Sequence, residues 1–502
     1  MPSQTPSAPE ATEPAPRPSL GTRVARATVR NWPLIAIAVA GLVLRLLFVT
    51  VWWPTCDYDV SIWSAGGVTL EQGLDKVKNP DRECFDVASG DSTFYFGQGR
   101  MIADGEGLGS PFSYLINGEY QPSAAHPPGY STFLATANLV GLTTVAQQRA
   151  ASTVLGAIGV FLIGLVGQRL AGRRAGILAA ALAAVYPFLW INDGKLMSES
   201  LYIPLVATVL LAAYAFWERP RPRTALLLGL AVGVAQLVRA ETGMIAWIMV
   251  PFLVWGMRDR LKGTGWLKLG ALAIVTAQVV VMPWTLRNLT TFERPVFGTA
   301  GVGIVLLSGS CDAAYYDEET LGLLNFKCLE DDPEALGFIL AAIAPGSGDD
   351  ESVVDYQARE KALAYIADHP GRTPVVMAAR IGRIWDLYKP GQNTDVDVFL
   401  EVRPRGPTVW GKAMYFAMWP FAIVGLVALR KRRLPISPLL AIFVMTSFVA
   451  VISFALSRYR VPSEVVLVVA ASVGIDQLLR QWWDRRRRSG APATAEPANM
   501  TA

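Results

Sequence analysis

Charge is what long stretches of this chain lack. Several runs of about 20 residues carry almost none, and the charged residues fall in the gaps between them. Each run is long enough to cross a hydrocarbon core roughly 30 Å thick, which excludes a soluble globular protein and leaves a polytopic helical membrane protein. Cysteine is also scarce: Cys56, Cys84, Cys311 and Cys328 are the only four in 502 residues, and none lies in an apolar run. No Gly-rich phosphate loop opens a helix, so a soluble nucleotide is not indicated as substrate. The first apolar run, Trp32 to Trp53, ends in "VTVWWPTC". It lacks the small residues of a cleavage site and is too long for a signal peptide, so a retained helix is expected. Histidine occurs twice, His126 in "AHPPGY" and His369 ahead of a Pro-Gly pair, where it is expected to mark a helix end.

The positions of the basic residues set a topology. Candidate spans are 34–53, 149–168, 175–191, 199–217, 224–239, 243–257, 266–285, 409–429, 436–455 and 462–481. The segment 130–145, right after Pro127 and Pro128, is apolar but short. If it does not span, the basic end of the N-terminal tail, Arg169/Arg173/Arg174, Arg219/Arg221/Arg223, Arg258/Arg260/Lys262/Lys268, Arg430 to Arg433 and Arg485 to Arg488 share one side. By the positive-inside rule that side is the cytoplasm. The expectation is an all-α fold with ten transmembrane helices, cytoplasmic termini, an interfacial helix at 130–145 and two large extracytoplasmic loops.

In this scheme residues 1–31 are a disordered cytoplasmic tail, rich in Pro, Ala, Ser and Thr, and 32–285 a transmembrane core that includes outer loop 54–148. Residues 286–408 form the second outer region, 409–481 the C-terminal helices, and 482–502 a basic cytoplasmic tail. The cysteines fall two to each outer loop. Cys56–Cys84 and Cys311–Cys328 are therefore expected as disulfides, the alternative being four unrelated buried thiols. In the second loop, "YQAREKALAYIADHPGRTPVVMAARIGRIW" reads as helical and is expected to serve as a lid or acceptor platform.

The same topology brings the unusual polar motifs to the outer side. "GDSTFY" (Asp91, Tyr95) and "AHPPGY" (His126) lie in the first loop, and "GKLMSESLY" (Lys195, Glu199) joins the third and fourth spans. "VRAE" (Arg239, Glu241), "PWTLRN" (Arg287) and "SRYRVP" (Arg458, Tyr459, Arg460) end or join later spans. One arginine at a helix end snorkels to the headgroups as a matter of course. Five loops offering cations where the positive-inside rule predicts few need an anionic ligand, and a phosphate on a lipid fits. A phosphate whose charge grows as it leaves is held more tightly in the transition state, which is catalysis as well as binding.

The ordered motifs, from about residue 91 to 462, resemble the lipid-linked-sugar glycosyltransferases of the GT-C fold, in particular the protein O-mannosyltransferases and the aminoarabinose transferase that modifies lipid A. The resemblance implies inverting transfer of one sugar from a polyprenyl-phosphate donor to an acceptor hydroxyl on a protein, a cell-wall glycan or a glycolipid. It implies no cofactor and no catalytic metal. Asp91 matches the family's acidic base, with Asp57 and Asp59, just after the first span, as runners-up; "GDS" is also a good helix cap. Arg287, Arg458 and Arg460 are the matching candidates for the donor phosphate. Lys195 and Arg239 either join them or pair with Glu199 and Glu241. Tyr95, His126 and Tyr459 are expected as site neighbours. A transporter or flippase of a lipid-linked anion is the alternative, and it would usually show broken helices or an inverted repeat, neither of which is evident in the sequence.

Overall fold

The computed structural model describes residues 20–55, 90–117, 120–330 and 350–489. Among these no strand forms, and fifteen helices have ten residues or more. In chain order they are α1 (Leu20–Leu47), α2 (Gly90–Ala103), α3 (Gly129–Leu139), α4 (Val145–Ala171), α5 (Arg173–Val185), α6 (Glu199–Glu218), α7 (Pro222–Gln236), α8 (Gly243–Gly256), α9 (Gly265–Thr291), α10 (Glu351–Asp368), α11 (Thr373–Ile384), α12 (Pro390–Phe399), α13 (Arg405–Lys431), α14 (Ser437–Ile452) and α15 (Val461–Ser489).

A helix occupies each of the ten expected spans. Six are long and apolar enough to cross a membrane: Val29–Trp52, Val145–Ala171, Glu199–Glu218, Gly265–Thr291, Arg405–Lys431 and Ser457–Arg487. The chain is a multi-pass membrane protein. Helices α7, α8 and α14 are shorter, at 15, 14 and 16 residues. Helix α3 has 11 residues, about 16 Å at 1.5 Å per residue, too short to span.

One expectation about the tails is corrected. Helix α1 begins at Leu20, inside the stretch read as a structureless tail, because Ala- and Arg-rich "TRVARATVR" propagates a helix once the prolines end. Helix α15 continues to Ser489, so the start of the basic C-terminal tail is helical. Residues 1–19 and 490–502 lie outside the described residues.

The span read as 175–191 is also corrected. It breaks at Tyr186–Pro187, and Arg173–Val185 and Pro187–Lys195 meet at a bend of 74°. Pro187 has no N–H to continue the ladder and pushes the preceding residue out of the helical region; Tyr186 accordingly adopts φ −76°, ψ 112°. The turned segment Ile191–Lys195 is fully buried, so the bend carries Asp193 and Lys195 into the protein.

Helix α15 is the axis of the bundle: 83% of its most apolar window is buried, against 28% for α1 and α9. Its close partner is α13, where a Cβ on Gly425 or Gly474 would collide with the facing backbone. Small residues that let two backbones touch are a main source of helix association in lipid, where no hydrophobic drive remains between helices.

Inside α1, Arg45 is 1% exposed and its Nε donates to Asp193 Oδ2 at 2.8 Å. Gly156 on α4 makes the room, since a Cβ there would overlap both side chains. Farther along, Arg149 donates to the carbonyls of Gly194 (2.7 Å), Trp53 (2.6 Å) and Val49 (3.3 Å), tying the end of α1 to the turned segment. Removing one partner of a buried ion pair strands the other. Arg45→Ala is therefore expected to cost roughly 3–5 kcal/mol, whereas Arg45→Leu combined with Asp193→Leu recovers most of the loss. Thermal midpoints of the detergent-solubilised variants test this, and equal midpoints for wild type and Arg45→Ala would refute it.

Candidate active site

Helix α2 opens at Gly90, whose positive φ of 49° favours glycine and starts the helix abruptly. Asp91 follows in its first turn, with a side chain 27% exposed. Two side chains approach it from separate parts of the chain. Arg458, on the short turn Ser457–Arg460, places Nη1 2.7 Å from Asp91 Oδ2, and His126 places Nε2 3.6 Å from Oδ1. Phe94 and Tyr95 pack against the His126 ring, with centroids 4.7 and 4.9 Å away, and Tyr95 meets Tyr130 edge-on at 5.1 Å.

Behind Asp91 the charges continue inward. Arg458 Nε lies 3.3 Å from Glu401 Oε1, and Lys195 Nζ lies 3.3 Å from Glu401 Oε2 and bonds the Glu401 carbonyl. Arg239 forks between Glu199 (2.6 Å) and Glu241 (2.5 Å). The Tyr459 ring sits between the guanidinium groups of Arg239 and Arg458, each 5.2 Å from its centroid. Arg403 completes the group, with Ser457 Oγ at 2.7 Å, Asp397 at 3.5 Å and Asn192 Oδ1 at 3.3 Å.

Burial pushes the Asp91 carboxyl up, but the charges of Arg458 and His126 and their hydrogen bonds outweigh it and hold Asp91 well below the usual carboxylate range. Glu401 behaves alike: burial raises it, and Arg458, Lys195 and Arg403 together bring it below its ordinary value. Both are ionised at neutral pH. Among the described residues, Glu199 Oε2 is buried without a hydrogen-bond partner, and the contact of Arg458 Nε with Glu401 is an ion pair without hydrogen-bond geometry. Also among them, no three His, Cys, Asp or Glu side chains form a group able to hold a metal ion.

Of the residues expected from sequence, Asp91, Tyr95, His126, Lys195, Glu199, Arg239, Glu241, Arg458 and Tyr459 thus come together. Two expected phosphate cations do not join them. Arg460 is fully buried and bonds Glu464 and Asp386 (2.8 Å), its guanidinium 3.9 Å over the Tyr415 ring. Its charge is balanced by these two carboxylates, away from Asp91. Arg287 donates to the carbonyls of Ser123 (3.0 Å) and Leu108 (2.9 Å), holding the strap that leads to His126. Lys195 pairs with Glu401, not with Glu199 or Glu241. Asp57, Asp59, Cys56 and Cys84 lie outside the described residues. Cys311–Cys328 forms, closing a 17-residue separation, and His369 follows the last residue of α10, as expected of a helix-end marker.

Glu401 and Arg403 went unnoticed in the sequence. They stand in "EVRPR", just ahead of the span that α13 forms. A search for ionisable residues at every outer span end would have included them.

Residues 125–285 match the family model described as dolichyl-phosphate-mannose-protein mannosyltransferase. No curated protein matches the chain. Among solved structures, the archaeal oligosaccharyltransferase AglB from Archaeoglobus fulgidus, in complex with an inhibitory peptide and a dolichol-phosphate, superposes with a TM-score of 0.50 at 13% identity, covering 93% of this chain and 53% of that one. The same organism's enzyme tethered to an acceptor peptide gives 0.50 at 12% identity, over 92% and 51%. The chain has the GT-C fold. It spans about half the length of those oligosaccharyltransferases. ArnT from Cupriavidus metallidurans bound to undecaprenyl phosphate is 16% identical over 93% of this chain and 82% of that one, with a TM-score of 0.34, too low to argue from.

The strap carrying His126 is held from the second loop region as well: the backbone N–H of Ala124 faces Glu351 Oε1 and Oε2 at 3.3 and 3.4 Å. Burial, only partly offset by hydrogen bonds from Ser123 and Ala124, pushes the Glu351 carboxyl up to about 7. A carboxyl raised in the folded state binds more protons folded than unfolded, so its contribution is full below about pH 4.5 and lost as pH rises through 7. The loss is on the order of 1–3 kcal/mol. Glu351→Gln is expected to flatten the fall in thermal midpoint between pH 5 and 8; an unchanged slope would count against this.

Proposed function

We propose that the chain transfers a single sugar from a polyprenyl-phosphate donor to an acceptor hydroxyl, with inversion, at the extracytoplasmic face of the membrane. The observation that carries the reading is Asp91, a partly exposed carboxylate at the rim of a buried cluster of cations. The fold supports it, as does the match to a family described by a dolichyl-phosphate-mannose donor.

In this reading the acceptor oxygen bonds to the anomeric carbon as the bond from that carbon to the phosphate oxygen breaks. The electron pair leaves with the phosphate, and the hydroxyl proton passes to Asp91. The donor phosphodiester carries one negative charge and the released monoester close to two. Arg458, Arg239 and Lys195 would therefore hold the leaving group more tightly as it departs.

Arg458 links the two ends of the reaction. Paired with Arg458, Asp91 is a weak base. A donor phosphate that draws Arg458 toward itself frees the carboxylate to become more basic once donor is bound.

The broken helix at Pro187 favours a second reading, a transporter of a lipid-linked anion, because broken helices often build transport sites. Turnover separates the two. The purified protein should release polyprenyl phosphate from a lipid-linked sugar only when acceptor is present, and Asp91→Asn should lower that rate about 10²–10⁴-fold without weakening donor binding. Full activity of Asp91→Asn would sink the role given to this residue.

The orientation has its own check. Gln147→Cys, at the start of α4, should react with a membrane-impermeant thiol reagent from the extracytoplasmic side only; labelling from the cytoplasm would overturn the arrangement.

A further inference from the structure

The end of the bundle opposite Asp91 holds a second charged site. Helix α15 starts beside the Asp91 cluster at Val461, and Arg480 lies 19 residues along it, about 29 Å away at 1.5 Å per residue. That is close to the thickness of a hydrocarbon core. Here a cavity of about 500 Å³ is lined by Arg174 from α5 and by Arg480, Trp483, Asp484 and Arg487 from α15. The volume falls within the range of small-ligand pockets.

The charges do not cancel. Arg480 Nε bonds Asp476 at 2.8 Å and its Nη2 bonds the Ala171 carbonyl at 3.1 Å, which fixes the wall of the cavity and neutralises that side chain. Arg174 and Arg487 then face the single carboxylate of Asp484, and neither forms an ion pair with a described residue. One positive charge is left over. Beside the cavity, on the same side of α15, Leu479 and Trp483 are exposed. An arginine-lined recess at headgroup depth, bordered by an exposed apolar side chain and an indole, joins an anion to acyl chains.

We propose that this cavity binds the headgroup of an anionic glycerophospholipid, with its phosphodiester between Arg174 and Arg487 and its acyl chains along Leu479 and Trp483. One diester charge matches the one excess positive charge, and guanidinium groups suit phosphate through paired N–H donors. The lipid would staple α5 to α15. It would act independently of donor binding, at the other end of the bundle.

Native mass spectrometry of the full chain released from mixed micelles reads the site directly. With phosphatidylglycerol present, the protein should keep one lipid about tenfold more than with phosphatidylcholine. Arg174→Gln combined with Arg487→Gln should bring the two lipids level. Lys431→Gln combined with Arg433→Gln, basic residues at the end of α13 and just after it that do not line the cavity, should keep the preference. Inorganic phosphate at millimolar concentration should not displace the lipid. Equal retention of both lipids by wild type would overturn the proposal, as would an unchanged preference in the cavity variant, a loss of equal size in the control variant, or displacement by phosphate alone. All four substituted residues are on the surface, so folding is not at stake, and thermal midpoints confirm it.

Discussion

Taking a charge out of water costs several kcal/mol unless a partner of opposite sign goes with it, and that constraint organises this molecule from one end of the bundle to the other. Arg45 lies in α1, where neither water nor headgroups reach it, and Asp193 answers it. The answer needs a bent helix to deliver the aspartate and a glycine to make room. Pro187 and Gly156 are thus explained by one arginine. The same bend carries Lys195 two residues beyond Asp193, where it meets Glu401 and enters the Asp91 cluster. A structural ion pair and a candidate catalytic one share a backbone segment, so the first fixes the position of the second.

The positions of the helices were legible because the apolar runs and the basic clusters are both long-range signals. Nine of the ten runs hold one main helix, the run 175–191 breaks at Pro187, and 130–145 yielded only the short α3. What stayed hidden was direction at short range. Arg458 and Arg460 are two residues apart on a turn with about three residues per turn, so their side chains leave on different sides. One reaches Asp91 and the other Asp386 and Glu464. The motif "RYR" names both and distinguishes neither. The bend at Pro187 was similarly concealed, because proline inside an apolar run is common in membrane helices: α6, α8, α9 and α13 each contain one without breaking. Context decides between a kink and a corner, and at Pro187 the next residues turn aside into a buried polar segment.

The strap, described over 108–117 and 120–129, shows how a short helix, Pro111–Asn117, and the loop after it can hold a side chain. Arg287 binds two of its carbonyls, Glu351 faces the Ala124 N–H, and the Gly129 N–H donates to the Leu237 carbonyl at 2.7 Å. A Cβ at Gly129 would meet that carbonyl, so glycine allows the approach. Pro127 and Pro128 fix the backbone between these anchors. His126 is thereby presented to Asp91 from a rigid support, and the arginine expected to bind phosphate serves instead to build that support.

The cluster's charge balance bears on how an anion could bind at all. Its cations are Lys195, Arg239, Arg403 and Arg458; its carboxylates are Asp91, Glu199, Glu241, Asp397 and Glu401. Four positive charges face five negative ones, so there is no standing surplus to attract a phosphate. A phosphate must displace a carboxylate from its cation, and the carboxylate it can displace at least cost is the one that water can still reach. Among the pairs, Asp91 is the most exposed at 27%, against 1% for Glu199 and 7% for Glu401. Exchange at Arg458 therefore falls on Asp91 first. An anion that enters this site exposes a base next to itself, and the deeper pairs keep the remaining cations in place while it does so.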